Sequence, residues 1–174
     1  LLNEKLQPQQ IKDYCPNGLQ VEGASEVKRI ITGVTASQAL IEKAVELNAD
    51  ALLVHHGFFW KGESEAIRGM KGKRIRTLIK NDINLLGYHL PLDIHPELGN
   101  NAKLAELLDI EVEGGLEGHP QSVAMFGKLS APMTGAEFAA KIDQVLNRKP
   151  LHIAPENQDK MITTVGWCTG GGQD

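Results

Sequence analysis

The sequence predicts an α/β fold, a layered sheet with helices, and two observations predict it. Through the first 110 residues, short apolar β-branched stretches alternate with stretches whose apolar residues recur at helical spacing. The chain can also form a sizeable core, because 41% of its 174 residues are hydrophobic. This length fits one domain of ordinary size or two small ones.

The first predicted unit is strand, helix, strand. Residues 28–34 are β-branched and apolar, which is typical of a buried strand. Thr35 and Gln38 have the spacing of a capping box and predict a helix that ends near Asn48. Residues 51–54 form a second short strand, and we expect the two strands to be parallel neighbours.

The alternation continues along the next segment of the chain. An imperfect helix is predicted over residues 67–79, because Gly69 and Gly72 interrupt its apolar pattern. A third strand follows at residues 83–89 and a short helix at residues 101–109.

The predicted domains are residues 1–110, an α/β half, and residues 111–174, a partial second half. The second half begins with a glycine-rich connection at residues 111–121. Its other predicted elements are a strand at 122–129, a helix opened by a capping box at Thr134 and Glu137, and strands at 151–153 and 162–168.

Charge, hydropathy and cysteine content exclude several classes of protein. The net charge of −4 gives no bulk reason to bind nucleic acid or a membrane, and we expect neither as a partner. The sequence lacks an apolar stretch of the ~20 residues that cross a bilayer, and lacks a signal-peptide pattern, so we expect a cytoplasmic protein. Cys15 and Cys168 lack CxxC spacing, which predicts reduced thiols.

Histidines cluster at the ends of two consecutive predicted strands. His55 and His56 follow one strand, and His89, Asp93 and His95 follow the next. Ligands of parallel α/β sheets bind beyond the carboxyl ends of the strands, so these side chains could converge. Imidazole and carboxylate are ligands of zinc, manganese, iron and nickel, and the pattern therefore predicts a metal site.

The adjacent histidines restrict the geometry of such a site. In a regular strand, His55 and His56 would point to opposite faces and would not bind one ion. At a strand end followed by Gly57, they can diverge toward two ions ~3.5–4 Å apart. Asp93 is then a candidate to bind either ion or to bridge both. A single histidine near an apolar run is more often structural, and this interpretation holds for His95 or His119 taken alone.

Three weaker features leave alternatives open. Phe58, Phe59 and Trp60 could stack on a planar substrate, or they could be core or interface residues. Residues 168–173 could form an anion-binding nest, but they lack the Lys-Ser/Thr of a P-loop, which favours a structural turn. Cys15 has no histidine close to it in sequence, which disfavours a catalytic thiol.

Five motifs resemble one protein family. They are DYCPNGLQVEG, GVTAS, DALLVHHGFFWKGE, GYHLPLDIHPELGNN and WCTGGGQ, in this order. The sequence resembles the family named for NGG-interacting factor three, whose members are often labelled GTP cyclohydrolase 1 type 2 homologs, and especially its bacterial YbgI-type members. The resemblance covers essentially the whole chain, and HHG followed by HLPLD and GNN is its specific part.

The resemblance implies an α/β fold of two similar, intertwined halves that assembles into a toroidal homohexamer. It also implies a dinuclear metal centre with two divalent ions, in which His55 and His56 bind one ion each and Asp93 binds as well. His89 would lie beside the ligands or face the substrate. Family members complete the site with a histidine and a glutamate after TGGGQ. The sequence ends at Asp174 before such residues, so we expect an incomplete second half and ligand set.

Two functions follow from these residues and this resemblance. The first is a metal-dependent hydrolase that opens the imidazole ring of GTP or acts on a related nucleotide or heterocycle, with Glu63 and His89 as candidate catalytic groups. The second is a non-catalytic metal-binding scaffold or regulatory protein that works through oligomer assembly. An open metal site favours the hydrolase, because structural sites are normally closed by protein ligands.

Overall fold

The computed structural model describes residues 1–119, 122–154 and 156–170. The chain divides into two compact units, unit 1 (Leu1–Leu92) and unit 2 (Asp93–Asp174). The sequence-based boundary at residue 110 falls at the start of a strand. The elements, in chain order, are α1 (Leu2–Leu6), β1 (Gly18–Val21), β2 (Ile30–Thr35), α2 (Gln38–Glu46), β3 (Ala51–His56), α3 (Gly69–Lys80), β4 (Asn84–Gly87), α4 (Leu90–Asp93), α5 (Asn100–Leu107), β5 (Ile110–Gly115), β6 (Met125–Thr134), α6 (Gly135–Leu146) and β7 (Met161–Trp167). Helices accompany two sheets, and the predicted α/β class is confirmed.

Unit 1 contains a four-stranded sheet in the order β1-β4-β3-β2. β2, β3 and β4 are parallel, as predicted for the first pair, and β1 is antiparallel to β4. Val54 of β3 pairs with Gly33 of β2 and with Gly87 of β4. The three parallel strands therefore end at one edge, and His55 and His56 lie at that edge.

Helices α2 and α3 complete the core of unit 1. Ile41 of α2 and Leu78 of α3 are fully buried, together with Leu52 and Leu85 of the sheet. Burying a side chain of this size contributes about 1.5–3 kcal/mol. This core fixes the strands whose ends carry the histidines.

Helix α2 is capped by Ser37, whose hydroxyl oxygen accepts a hydrogen bond from the Leu40 N–H at 3.2 Å. The predicted capping box of Thr35 and Gln38 is wrong, because Thr35 still belongs to β2 and pairs there with His56. The Gln38 side chain donates to Glu42 instead of reaching back to the strand.

Helix α3 is continuous, and the predicted interruptions at Gly69 and Gly72 are absent. Gly69 begins the helix with a φ of 58°, which is a conformation that favours glycine. Gly72 is buried, and a Cβ there would lie 3.0 Å from the carbonyl oxygen of Ile67. Both glycines therefore serve the start of the helix and its close packing.

Unit 2 contains a three-stranded antiparallel sheet in the order β5-β6-β7. Its buried core residues are Ala105, Leu108, Ile110 and Leu129, against which partly buried side chains of α6 and β7 pack. The predicted capping box of α6 is confirmed, since Thr134 and Glu137 bond reciprocally at the start of the helix.

Two predictions for unit 2 are wrong. Residues 111–121, predicted as a connection, begin with most of β5. The glycines there fit close packing, because a Cβ on Gly114 would lie 3.2 Å from the Phe126 ring and a Cβ on Gly115 would overlap the Ser122 side chain. Residues 151–153, predicted as a strand, form none, and Leu151 and Ile153 are exposed.

None of the helices in the described part of the chain combines the length and the apolar character that a membrane span requires.

Candidate metal centre

Three histidines of unit 1 lie together where β3 and β4 end. His55 and His56 are the last two residues of β3, and His89 comes two residues after β4. The ring centroids are 4.4 Å apart for His55 and His56, 5.1 Å for His55 and His89, and 5.6 Å for His56 and His89. One ligand nitrogen from each ring lies within 4.8 Å of the other two. These three residues are here called the histidine cluster.

The rings of His55 and His56 are close, although the sequence led us to expect that they diverge. Two imidazole nitrogens bound to one tetrahedral zinc ion would lie roughly 3.3 Å apart. Separations of up to 4.8 Å therefore fit one ion after small ring rotations, or two neighbouring ions.

Each ring of the histidine cluster has a partner on its Nδ1 atom. The pairs are His55 with the Tyr88 carbonyl oxygen at 2.9 Å, His56 with the Thr35 hydroxyl at 3.2 Å, and His89 with the Asp13 carboxylate at 2.7 Å. A carbonyl oxygen only accepts, so Nδ1 of His55 carries a proton, and in the neutral ring Nε2 has the lone pair. Partners of this kind fix the ring orientation and tautomer of metal-binding histidines.

The Asp13 carboxylate accepts four hydrogen bonds within unit 1. The donors are the His89 ring, the Asn17 side chain and the backbone N–H groups of Tyr14 and Leu90. Burial raises the pKa of this carboxyl group, but the hydrogen bonds outweigh burial and hold the pKa below its usual value. Asp13 is therefore ionised at neutral pH and acts only as an acceptor.

Cys15 lies beside this network, with a potential ligand atom within 4.8 Å of those of Asp13 and His89. Burial, and then the negative charge of Asp13, raise the pKa of the Cys15 thiol to about 12. The thiol is protonated at neutral pH, which disfavours a role as a nucleophile, in agreement with the sequence analysis.

The three aromatic residues after the histidines have different surroundings. Phe58 is buried in the core of unit 1, and Phe59 packs partly against that core under the Lys71 ammonium group. Trp60 lies beside the cluster, with its ring 4.8 Å from His89 and 5.9 Å from His56. Of the three, Trp60 is therefore the one placed to contact a molecule bound at the cluster.

Gly57, the residue that follows the histidines, has a packing role. A Cβ at Gly57 would lie 2.0 Å from Oε1 of Gln20. This oxygen accepts from the Phe58 N–H at 2.7 Å, and the Gln20 amide nitrogen donates to the Pro16 carbonyl oxygen. Gly57 thus lets Gln20 tie the chain after β3 to the segment that contains Asp13.

Asp93, the predicted carboxylate ligand, belongs to unit 2 and is 2% exposed. Its Oδ1 atom accepts from the Asn100 side chain at 2.7 Å and from the Thr169 hydroxyl at 3.3 Å. Oδ1 of Asn101 accepts from the Thr169 backbone N–H at 2.9 Å. It also lies 3.0 Å from the Thr169 hydroxyl oxygen, so Asn101 and Asp93 share the single hydroxyl proton. The carboxylate orientation is therefore fixed within unit 2.

The other predicted residues lie outside the histidine cluster. Glu63 pairs with Lys71 at 3.3 Å and is 43% exposed. Nδ1 of His95 accepts from the N–H groups of Glu97 and Leu98, which supports the structural interpretation of His95. His119 lines a cavity of about 330 Å³ in unit 2, whose described lining residues are mostly apolar and include Trp167. Of residues 168–173, only 168–170 lie within the described part, so half of the predicted nest or turn falls outside it.

Asp13, Thr35 and Tyr88 are the residues around the cluster that the sequence analysis missed as site residues. Asp13 lies 76 positions before His89, and a contact of that range leaves no trace in periodicity or spacing. The DYCPNG motif was a usable signal, because it supplies an aspartate and an asparagine that bond His89 and each other.

Comparisons with known proteins connect this geometry to a group of relatives. The chain is 76% identical over 174 residues to a "GTP cyclohydrolase 1 type 2 homolog" of Vibrio cholerae, covering all of this chain and 69% of that protein. It is 64% identical over 173 residues to the protein of the same description from Haemophilus influenzae, covering 99% of this chain and 68% of that protein. A solved structure of protein ybgI, described as of unknown function, superposes with a TM-score of 0.92 at 56% identity, covering 99% of this chain and 68% of that one.

The family resemblance drawn from the five motifs is thereby confirmed. The model of one family, described as Duf34/NIF3 (NGG1p interacting factor 3), matches residues 1–174. With this match and with relatives of such high identity, the chain belongs to the Duf34/NIF3 family.

Proposed function

We propose that the chain is a metal-binding protein that works as a metal-dependent hydrolase on a nucleotide or related heterocycle. The observation that carries this proposal is the histidine cluster, in which three ring nitrogens from two strand ends lie within 4.8 Å of one another. The description of the relatives as GTP cyclohydrolase 1 type 2 homologs supports the substrate class.

The donor set fits a divalent transition metal. The imidazoles of His55 and His56 suit zinc, iron or nickel, and an added carboxylate would also suit manganese. The hydrogen bonds on Nδ1 restrict ring rotation, so less entropy is lost when the rings bind an ion. A divalent ion held by these rings would polarise a substrate atom and make water a better nucleophile at neutral pH.

We assign roles to six residues. His55 and His56 bind metal, and Asp93 is a further ligand, an assignment that comes from the family resemblance. His89 accepts a proton during hydrolysis, and Trp60 gives a bound heterocycle an aromatic edge or face. Glu63, which pairs with Lys71 at 3.3 Å, remains a candidate general acid.

The second candidate is a metal-binding scaffold that acts through assembly, and one observation favours it. Ile30 and Val34 of the edge strand β2 are 56% and 68% exposed, on a sheet otherwise rich in buried apolar residues. Exposed apolar side chains on an edge strand are typical of surfaces that a protein covers by further association. The toroidal homohexamer implied by the family resemblance would provide such cover.

The metal content of purified protein tests both candidates. After reconstitution with zinc or manganese, elemental mass spectrometry should give about one to two ions per chain. His55→Ala and His56→Ala should each lower this number, whereas His152→Ala, which alters an exposed histidine outside the cluster, should not. Absence of metal in reconstituted wild-type protein would rule out the hydrolase and the metal-dependent scaffold alike.

Activity and assembly then separate the two candidates. The hydrolase predicts release of a ring-opened product from GTP or a related heterocycle, with loss of turnover in His55→Ala. The scaffold predicts that chelation changes the sedimentation of the protein, with no nucleotide or heterocycle turned over.

A further inference from the structure

The segment around Asp13 forms hydrogen bonds with both the side chain and the backbone of His89. Asp13 bonds the ring through Nδ1, and Asn17 accepts from the His89 backbone N–H at 2.7 Å. Asp13 and Asn17 also bond each other, since the Asn17 amide nitrogen donates to Oδ2 of Asp13 at 2.8 Å. Asp13 further accepts from the Leu90 N–H at 2.9 Å.

Burial separates this pair from the many solvent-exposed ion pairs of the chain. The Asp13 side chain is 3% exposed and the His89 side chain 15%. A buried carboxylate with four donors has little freedom to rotate, and the histidine that it bonds is held in one orientation. By contrast, Glu63 and Lys71 keep 43% and 18% of their side chains exposed.

The chemistry of the two partners decides where the proton of the His89 ring lies. An ionised carboxylate only accepts hydrogen bonds, so the Nδ1 atom that faces Asp13 must donate. In the neutral ring the other nitrogen, Nε2, then carries the lone pair. A neutral imidazole in water prefers the opposite tautomer, with the proton on Nε2, so the environment has to impose this state.

We propose that Asp13 is a positioning residue that holds His89 as the Nδ1-protonated tautomer and so presents the lone pair of Nε2 to the histidine cluster. His89 can then accept a proton or coordinate an ion, but it cannot donate a hydrogen bond from Nε2 while neutral. The inference rests on the proposed function, in which His89 is a proton acceptor. Asp13 is the residue that keeps His89 in the tautomer that can accept a proton at Nε2.

The tautomer can be measured in metal-free protein by long-range ¹H–¹⁵N NMR correlation with ¹⁵N-labelled histidine. A pH of about 8.5 keeps histidines of ordinary pKa neutral. His89→Gln assigns the His89 signals by their disappearance. In wild-type protein we expect a protonated Nδ1 and an unprotonated Nε2 for His89. A protonated Nε2, alone or together with a protonated Nδ1, would overturn the proposal without any variant of Asp13.

Asp13→Asn tests whether this residue is the cause. The asparagine keeps the shape but replaces one acceptor oxygen by an NH₂ group, which can donate to Nδ1 and move the ring proton to Nε2. We expect the major tautomer of His89 to change in Asp13→Asn and to be retained in Asp13→Glu, which keeps the carboxylate. Asp13→Ala removes both acceptor oxygens, and an unchanged tautomer in Asp13→Ala would overturn the proposal. If Asp13→Ala does not fold, the same spectrum of Asp13→Glu decides, because loss of the Nδ1 proton with the carboxylate retained contradicts it.

Asp50→Asn is the matched control in unit 1. Asp50 is also an aspartate that accepts backbone N–H bonds, from Lys28 and Arg29, but its partners among the described residues do not include a histidine. Its replacement should leave the His89 signals unchanged. These spectra use protein without metal, so a failure of metal binding would refute the proposed function and leave the inference about Asp13 to be decided by NMR.

Discussion

Both units bury an aspartate, and the two aspartates have different neighbours. Asp13 of unit 1 accepts from a histidine that belongs to a cluster of potential ligands. Asp93 of unit 2 accepts on Oδ1 from the neutral side chains of Asn100 and Thr169. The comparison teaches that a buried charge alone does not define what a site does, because its hydrogen-bond donors decide which groups it orients.

The cores of the two units differ as well. In unit 1, Ile41, Leu52, Leu78 and Leu85 have no exposed surface. In unit 2, Leu129 is 8% exposed and much of the apolar packing comes from partly buried side chains. Unit 1 therefore has the more tightly packed core, and this core holds the strands whose ends carry the histidine cluster.

The largest expected effect uses the two tryptophans, one in each unit. Trp60 lies beside His89 and His56, whereas Trp167 donates to the Asn101 carbonyl oxygen in unit 2. Nickel bound at the histidine cluster should quench most of the Trp60 emission, because a paramagnetic ion would lie next to that ring. A fluorescence titration of Trp167→Phe with Ni²⁺ measures this directly.

Trp60→Phe is the matched control for that titration. It retains Trp167, and the quenching that it shows reports how close bound nickel lies to Trp167. Equal quenching in the two variants would place bound metal near both tryptophans and break the contrast between the units.

The second prediction compares the two buried aspartates by stability. Asp13→Ala leaves four donors without their acceptor, and should lower the free energy of unfolding of unit 1 by about 3–5 kcal/mol. Asp93→Ala removes an acceptor of Asn100 and Thr169, and should lower the free energy of unfolding of unit 2 by about 2–3 kcal/mol. Native-state hydrogen exchange resolves the units separately, and a loss outside either range would contradict the prediction.

What the sequence predicts correctly in unit 1 depends on local patterns. The strand, helix, strand unit follows from short apolar runs and helical spacing, and the shared edge of parallel strands brings His55, His56 and His89 together. The contact of Asp13 with His89 could not be predicted from local patterns, because it depends on how distant segments of the chain pack. The same holds for the Thr35 hydroxyl, which reaches His56 only through strand pairing.

In unit 2 the two wrong predictions have a common cause. Both rest on the composition of one segment, which does not show whether another strand pairs with it. Glycines at 114 and 115 predict a loop, but they lie in β5 opposite Phe126 and Met125. The apolar Leu151 and Ile153 predict a strand, yet they are 92% and 86% exposed within the described part of the chain. The α6 capping box was predictable, because both of its residues lie within one helical turn.

The third prediction compares the two cores. Leu52→Ala removes a fully buried side chain from β3 and should lower the free energy of unfolding of unit 1 by about 3–4 kcal/mol. Leu129→Ala in β6 should cost unit 2 about 2 kcal/mol, because surrounding side chains are partly exposed and can close the space. Hydrogen exchange of the β3 and β6 amides measures both, and equal losses would show that the two cores are equally tight.

The smallest expected effect concerns pH and an exposed carboxylate in each unit. Hydrogen bonds from the backbone N–H and the hydroxyl of Thr134 hold the pKa of Glu137 below its usual value. Bonds from the backbone N–H groups of Arg29 and Lys28 do the same for Asp50. A carboxyl whose pKa is lower in the folded state stabilises that state above its unfolded pKa of about 4, and this contribution is lost as pH falls through the folded pKa.

Glu137→Gln can keep the hydrogen bonds of the capping box but cannot ionise. The protection of the α6 amides against hydrogen exchange should therefore fall less steeply between about pH 5 and about pH 3 in Glu137→Gln than in wild-type protein. Asp50→Asn should flatten the same pH dependence in unit 1 and leave α6 unchanged. If either variant changed the pH dependence of both units, their stabilities would be coupled, and the contrast between unit 1 and unit 2 would describe packing alone.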